Sequence, residues 1–346
     1  MKKLFVILTA IAMVGAFTAT AMAADWGFYG NARMETAWMM QDKDLTGTGD
    51  DQTIFANDLV GTSRIGANVK VSDAVSGRFE YGGTNNLRLL YGTWNFGAGT
   101  LLVGQTYTPG GSMTNGNQAL AGDYGMYSFG LYESRKPQVT LKMGGFSFGL
   151  VQNMNTVKPT DGPDKPIDTF ETMLPKLSLG WGGAFGPMSI WAGGGYQSMK
   201  DIAADETISS YGGGLSVGGN FGAFNFTAQG AYSINGLNSS YYGHGAAVAK
   251  ADGSYEDTSA LGLTLSAGFT ASEMFYIEAG VGSMTRSNDE WDKDDGEMTY
   301  YLNCKINLAE GVFVVPEVSV FDYMKDENDA DEGTATLVGA KWQINF

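Results

Sequence analysis

Beyond its first two dozen residues the chain alternates apolar and polar positions over and over. In QVTLKM, Val139, Leu141 and Met143 alternate with Gln138, Thr140 and Lys142. In ALGLTLSAGF, Leu261, Leu263, Leu265, Ala267 and Phe269 alternate with Gly262, Thr264, Ser266 and Gly268. In TYYLNCKINL, Tyr300, Leu302, Cys304, Ile306 and Leu308 alternate with Thr299, Tyr301, Asn303, Lys305 and Asn307. A period of two marks strands whose faces meet different surroundings. Sixteen such segments, bounded by turn residues, are predicted at 25–41, 60–71, 76–84, 87–96, 99–107, 136–143, 146–155, 173–185, 187–199, 208–221, 223–235, 257–271, 274–287, 297–308, 312–325 and 334–346.

The polar face, with its Lys and Asn, is too polar for a sandwich core. It suits strands with one face on lipid and the other on a wet lumen. The connections support this. SDAV, GAG, GG, FG, GA, SE and EG alternate with longer, often acidic ones, the layout of an outer-membrane barrel. A soluble all-β protein accounts for the strands but not for that asymmetry. No later segment reaches the run of about 18 apolar residues that a spanning helix needs; VFVVPEVSVF carries Pro316 and Glu317. An open sheet edge in hydrocarbon leaves backbone groups unpaired at several kcal/mol each, so the last strand must pair with the first. The terminal AKWQINF fits, with Ala340, Trp342, Ile344 and Phe346 on one face. The predicted fold is therefore all-β: one closed antiparallel transmembrane β-barrel of about 16 strands over 24–346. A barrel of that size leaves a channel, whereas eight strands fill with side chains.

The start of the chain, MKKLFVILTAIAMVGAFTATAMAAD, reads as a secretory signal peptide over 1–23, with cleavage after Ala23. Removing Lys2 and Lys3 lowers the basic count from 21 to 19 against 37 acids, a net charge of −18. That acidity argues against a nucleic-acid partner. Cys304 is alone, so no internal disulfide forms. The 50 glycines lie within alternating segments, where they mark bends or close backbone approach. NDEWDKDDGEM and DYMKDENDADEG are acidic rims. Binding of Ca²⁺ or Mg²⁺, bridging lipopolysaccharide phosphates, is their alternative reading, although the spacing is not that of an EF-hand. His244 is the single histidine and reads as part of a flexible outer loop without a strand-borne serine beside it. Nucleophilic catalysis needs a positioned base, so an enzyme is not expected. No metal-ligand set is apparent.

DWGFYGNARMETAW, SRIGANVKVSDAVSGRFEYG and GTWNFGAGTLLVGQTYTP, followed by a long third loop and ending in a terminal Phe, resemble the general diffusion porins of Gram-negative bacteria. The resemblance implies a 16-stranded outer-membrane barrel, commonly a homotrimer, passing small hydrophilic solutes and ions passively and without cofactors. It implies that the loop at 108–134 folds into the lumen and sets acids, here Asp123 and Glu133, against a basic wall. The wall candidates are Arg33, Arg64, Arg78, Arg88 and Arg135. Alternation places Arg33 and Arg64 inward, with Ser63 and Ile65 outward; Arg88 is ambiguous in LRLLY. Phe346 would be the signal read by the barrel-assembly machinery, with the bilayer and lipopolysaccharide as the other partners. The connection TNN at 84–86 is too short for the loop that latches neighbouring porin subunits.

A structural or adhesive barrel with a plugged lumen is the competing expectation. Small inward residues such as Gly193, Gly195, Thr264, Ser266 and Gly268 favour an open bore. The net charge and acidic rim predict a modest preference for cations. The sequence names no solute.

Overall fold

The computed structural model describes residues 24–153, 170–250 and 253–346; the predicted signal peptide lies outside them. Sixteen barrel strands run antiparallel among the described residues. They are β1 (Asp25–Gln41), β2 (Gln52–Leu59 continued by Arg64–Lys70), β3 (Val75–Gly82), β4 (Leu87–Asn95), β5 (Thr100–Tyr107), β6 (Arg135–Met143), β7 (Phe146–Val151) and β8 (Phe170–Glu171 then Lys176–Phe185). The second half comprises β9 (Met188–Asp201), β10 (Glu206–Phe221), β11 (Phe224–Ile234), β12 (Ser259–Thr270), β13 (Phe275–Ser287), β14 (Asp295–Ala309), β15 (Val312–Asp322) and β16 (Thr334–Asn345).

The barrel closes where the sequence requires it. β16 pairs with β1 from Asn345↔Asn31 to Ala335↔Gln41. Phe346 continues the seam: its N–H donates to Gly30 O at 3.0 Å, and Gly30 N donates back at 2.7 Å. The Phe346 ring packs over Gly30, in the space that a Cβ there would take.

The alternation sorts the faces as predicted. Leu263, Leu302, Val103 and Ile65 lie on the exposed outer surface, while Thr264, Tyr301 and Thr140 point inward and are buried. Near the short-turn end the outside carries aromatic pairs, including Trp26–Phe28, Trp94–Phe96, Phe146–Trp181 and Phe224–Phe269. Such a girdle sits where hydrocarbon gives way to headgroups.

Three boundaries depart from expectation. β2 begins at Gln52, not residue 60, and pairs with the outer half of β1. It is interrupted at 60–63, where Ser63 N donates to Val60 O at 2.8 Å in a turn. Ser63 therefore faces inward, against the alternation, and its hydroxyl accepts from Arg33 N at 3.0 Å. The described part of β7 ends at Val151 and the main run of β8 starts at Lys176, both shorter than predicted. β4 carries a register shift opposite Glu80 and Tyr81. A bulge of this kind puts two successive residues on one face, so Arg88 and Leu89 are both buried inside.

Candidate functional site

The connection at 108–134 does fold into the barrel, and the wall holds it there with carboxylates. Glu278 of β13 accepts from Asn117 N and Asn117 Nδ2, both at 2.6 Å. Glu317 of β15 accepts from Ala119 N at 2.6 Å and Leu120 N at 2.9 Å. Glu35 of β1 accepts from Ala121 N at 3.0 Å and Gly122 N at 3.1 Å. Hydrogen bonds to an ionised acceptor are shorter and about twice as strong as neutral ones. Together they hold Ala121 and Asp123 in the left-handed region, φ 61° and 59°, which side chains other than Gly seldom occupy. Asn115 is fixed by Thr264 Oγ1 at 2.9 Å and Ser266 Oγ at 2.7 Å. Gly110 passes so close to β9 that a Cβ would lie 1.9 Å from Gly194 O. The small inward residues of β9 and β12 thus make room for the loop and do not leave the bore open there.

A second connection, described at 235–250 and 253–258, also folds inward, where a flexible outer loop was expected. Its Tyr242 N donates to Tyr132 O at 2.9 Å, and Arg286 Nε of β13 donates to Gly243 O at 2.6 Å. His244 is buried between Ser233 Oγ of β11, 2.6 Å from its Nδ1, and Gly130 O, 3.0 Å from its Nε2. A strand-borne serine does therefore sit beside the histidine. Burial, aided by Arg286 and opposed by the Gly130 bond, lowers the imidazole from 6.5 to about 4. The ring is neutral: Nε2–H donates to the Gly130 carbonyl and Nδ1 accepts from the Ser233 hydroxyl. Both residues are enclosed, and a carbonyl stands where a carboxylate would orient a catalytic base, so the pair fastens one loop to the other.

Glu133 does not face the arginines. It lies fully buried, paired with Lys176 of β8 and accepting from the Thr108 hydroxyl. Lys176 also donates to Ser239 O at 2.7 Å, joining both inward loops to the wall. Asp123 does meet the basic wall, bridging Arg33 and Lys341, the latter at 2.6 Å.

With the loop fastened to β8–β16 and β1, space remains against β2–β6. Two cavities there, of about 530 and 370 Å³, share Arg64, Tyr107 and Ser112 in their walls. The larger reaches Lys142 and Ser147 toward the short-turn end, and the smaller reaches Tyr124 and Arg135 toward the long-loop end. Arg64, Arg78, Arg88 and Arg135 converge on this passage. Arg88 Nε, Arg78 Nη2 and Arg64 Nη1 share the single carboxylate of Glu80 at 2.7, 3.2 and 3.7 Å. Arg135 Nη1 donates to Tyr107 OH at 3.3 Å and lies over its ring. Lys142 carries no ion pair among the described residues. Five cations thus line the two cavities against Glu80 and Asp123, and Asp123 is already matched by Arg33 and Lys341. The loop adds Tyr124, Tyr127 and Tyr132, which with Tyr242 form ring contacts of 5.2 to 5.9 Å.

The arginines and Asp123 were candidates in the sequence, and Arg64, Arg78, Arg88, Arg135 and Asp123 line these cavities. The glutamate clamp was missed, although inward acids in METAW, YIEAG and VPEVS would have signalled it. Glu80, in RFEYG, was missed in the same way. On the outer rim, Arg286 pairs with Asp295 and Glu297, each at 2.9 Å. Among the described residues, no three His, Cys, Asp or Glu side chains group to hold a metal ion.

No protein-family model matches the chain, and no curated sequence does. Solved structures match throughout. The outer membrane channel DcaP of Acinetobacter baumannii aligns over 94% of this chain and 99% of its own, with TM-score 0.72 and 17% identity. A trimer form of OmpT, an outer membrane protein of Vibrio cholerae, covers 94% and 100%, with TM-score 0.57 and 16% identity. An anion-selective porin from Comamonas acidovorans covers 93% and 100%, with TM-score 0.58 and 13% identity. The chain has the fold of these outer-membrane barrels.

Proposed function

We propose that this protein is an outer-membrane porin, a water-filled channel through which small hydrophilic solutes diffuse passively, with anions favoured over cations. One observation carries the charge preference: Arg64, Arg78, Arg88, Arg135 and Lys142 line the passage against two carboxylates. Fixed charge at a narrow, low-dielectric point acts on a solute more strongly than the same charge at a wide mouth. The acids that give the chain its negative total stand mostly elsewhere. Some lie on the outer loops, and Glu35, Glu278 and Glu317 are engaged with loop amides. Position therefore outweighs the net charge, and the cation preference expected from composition gives way to the opposite sign.

The fold shared with known channels and the two cavities with common wall residues support a conducting barrel over a plugged one. The enclosure of Ser233 and His244 supports a non-enzymatic role. Export by a cleaved leader, docking of the aromatic girdle in an outer membrane containing lipopolysaccharide and recognition of Phe346 by assembly machinery complete the reading. So does a homotrimer held by barrel walls, since 84–86 is short. The test is conductance of the folded protein in a planar bilayer, followed by reversal potential in a KCl gradient. Discrete steps with chloride favoured are expected. Silence from correctly folded barrel refutes the channel, and a potassium preference refutes the charge assignment.

A further inference from the structure

The wall of a wet lumen is polar, yet one side of this passage is not. β4 turns Leu89 and Tyr91 inward, and β5 turns Leu102 inward. Across from them stand Pro109 at the root of the inserted loop and Trp191 of β9. Leu89 keeps the inward phase of Tyr91 and pairs with inward Glu80, and the bulge adds Arg88 to the same face. The two leucines, 4% and 3% exposed, form a floor; Tyr91, Pro109 and Trp191 are half-buried and offer accessible faces. These residues line the same cavity of about 530 Å³ as Arg64, Arg78 and Lys142. Arg78 is held by Tyr29 OH at 2.8 Å and by Glu80, and it keeps a third of its side chain in solvent. Lys142 is exposed, without an ion pair among the described residues.

Convergent cations beside a small apolar surface are the elements of a ligand site and not only of a conduit. We infer that the short-turn half of the passage binds amphipathic carboxylates. The acid group would pair with Arg78 and Lys142, and an apolar body of several carbons would rest on Tyr91, Pro109 and Trp191 above the leucine floor. A purely hydrophilic anion gains only the first contact, and a neutral apolar solute only the second. This inference rests on the channel reading for its role in transport, but not for binding itself.

The test compares acetate, hexanoate and hexanamide. Each is added to the folded barrel in a planar bilayer and, separately, titrated calorimetrically into folded barrel in detergent. A buried methylene is worth about fourfold in affinity, so hexanoate, with four more methylenes than acetate, half-blocks the current at a concentration at least ~10-fold lower. Hexanamide blocks more weakly than hexanoate. Trp191→Ala narrows the ratio of hexanoate to acetate to below about threefold, the loss of roughly one methylene's contact or more. Lys142→Gln, a change at an exposed side chain, weakens both anions together and leaves that ratio in place. Equal potency of acetate and hexanoate on the unaltered protein overturns the inference, as does equal potency of hexanoate and hexanamide. Hexanoate binding to a barrel that does not conduct supports the site and overturns the channel reading alone.

Discussion

Replacing Glu317 by alanine tests how the passage is kept narrow. In the native protein this carboxylate accepts from Ala119 N and Leu120 N, and also from Asn303 Nδ2 and Ser319 Oγ at 2.9 and 2.6 Å. Alanine removes every one of those acceptors, in a place where Glu317 is buried. An enclosed donor left without a partner costs about 1–3 kcal/mol. The two amides alone therefore put about 2–6 kcal/mol against the inserted loop. Every 1.4 kcal/mol is a factor of ten, so local release becomes more frequent by about 1.5 to 4 orders of magnitude. The barrel does not use this side chain in its strand ladder, since β15 pairs with β14 and β16 through the main chain. The effect should therefore be confined to the loop. Amide hydrogen exchange at 117–122, read by mass spectrometry on folded protein, should accelerate at least ~10-fold. A protease should then cut within 116–127, and the open-channel current should rise and become noisier. Glu317→Gln retains one acceptor oxygen and should fall between. If those amides exchange no faster in Glu317→Ala while the barrel remains folded, the clamp does not hold the loop.

Glu80→Gln strips three guanidiniums of their shared carboxylate, a buried partner whose loss costs about 3–5 kcal/mol. Its reversal potential should move further toward anions, and that of Arg88→Gln the other way. His244 gives a pH dependence. Its folded value lies at about 4, below the ordinary 6.5, so the opened loop binds more protons in between. The stability of the inward packing is then complete above about pH 6.5 and lost as pH falls toward 4, by about 3 kcal/mol in all. Protease sensitivity of 235–258 should rise over that window and should be nearly flat in His244→Gln. Deleting Phe346 should lower the yield of folded barrel on a gel while leaving the conductance of each assembled pore unchanged.

The barrel was legible in the sequence because a period of two acts on every strand at once. Leu263 and Thr264 cannot exchange faces without moving the rest of β12. Where the period broke, the reading broke with it. Ser63 points inward because β2 turns on itself at 60–63, and Arg88 joins Leu89 inside because of the bulge opposite Glu80 and Tyr81. Asp123 was identified by its charge in a loop with few others, but Glu133, drawn from the same short set, is spent on Lys176. That pairing joins segments far apart in sequence, and no local spacing announces it. The connection at 235–258 was misread for a similar reason: nothing in YYGHGAAV shows that Ser233 and Gly130 will stand on either side of its histidine.

The seam at Gly30 and Phe346 carries a consequence for how the chain must assemble. Most neighbouring strands meet their partners across short or moderate connections, so those pairings form early and at little entropic expense. The first and last strands meet across the whole chain, and non-local contacts of that kind are the slow ones. β16 follows every other strand in chain order, so no fragment that stops short of it can complete the ring. Until it does, two strand edges lie bare, and the barrel is unsuited to hydrocarbon. The two hydrogen bonds between Gly30 and Phe346 thus lie on the one seam that forms only after all the other strands have been laid down.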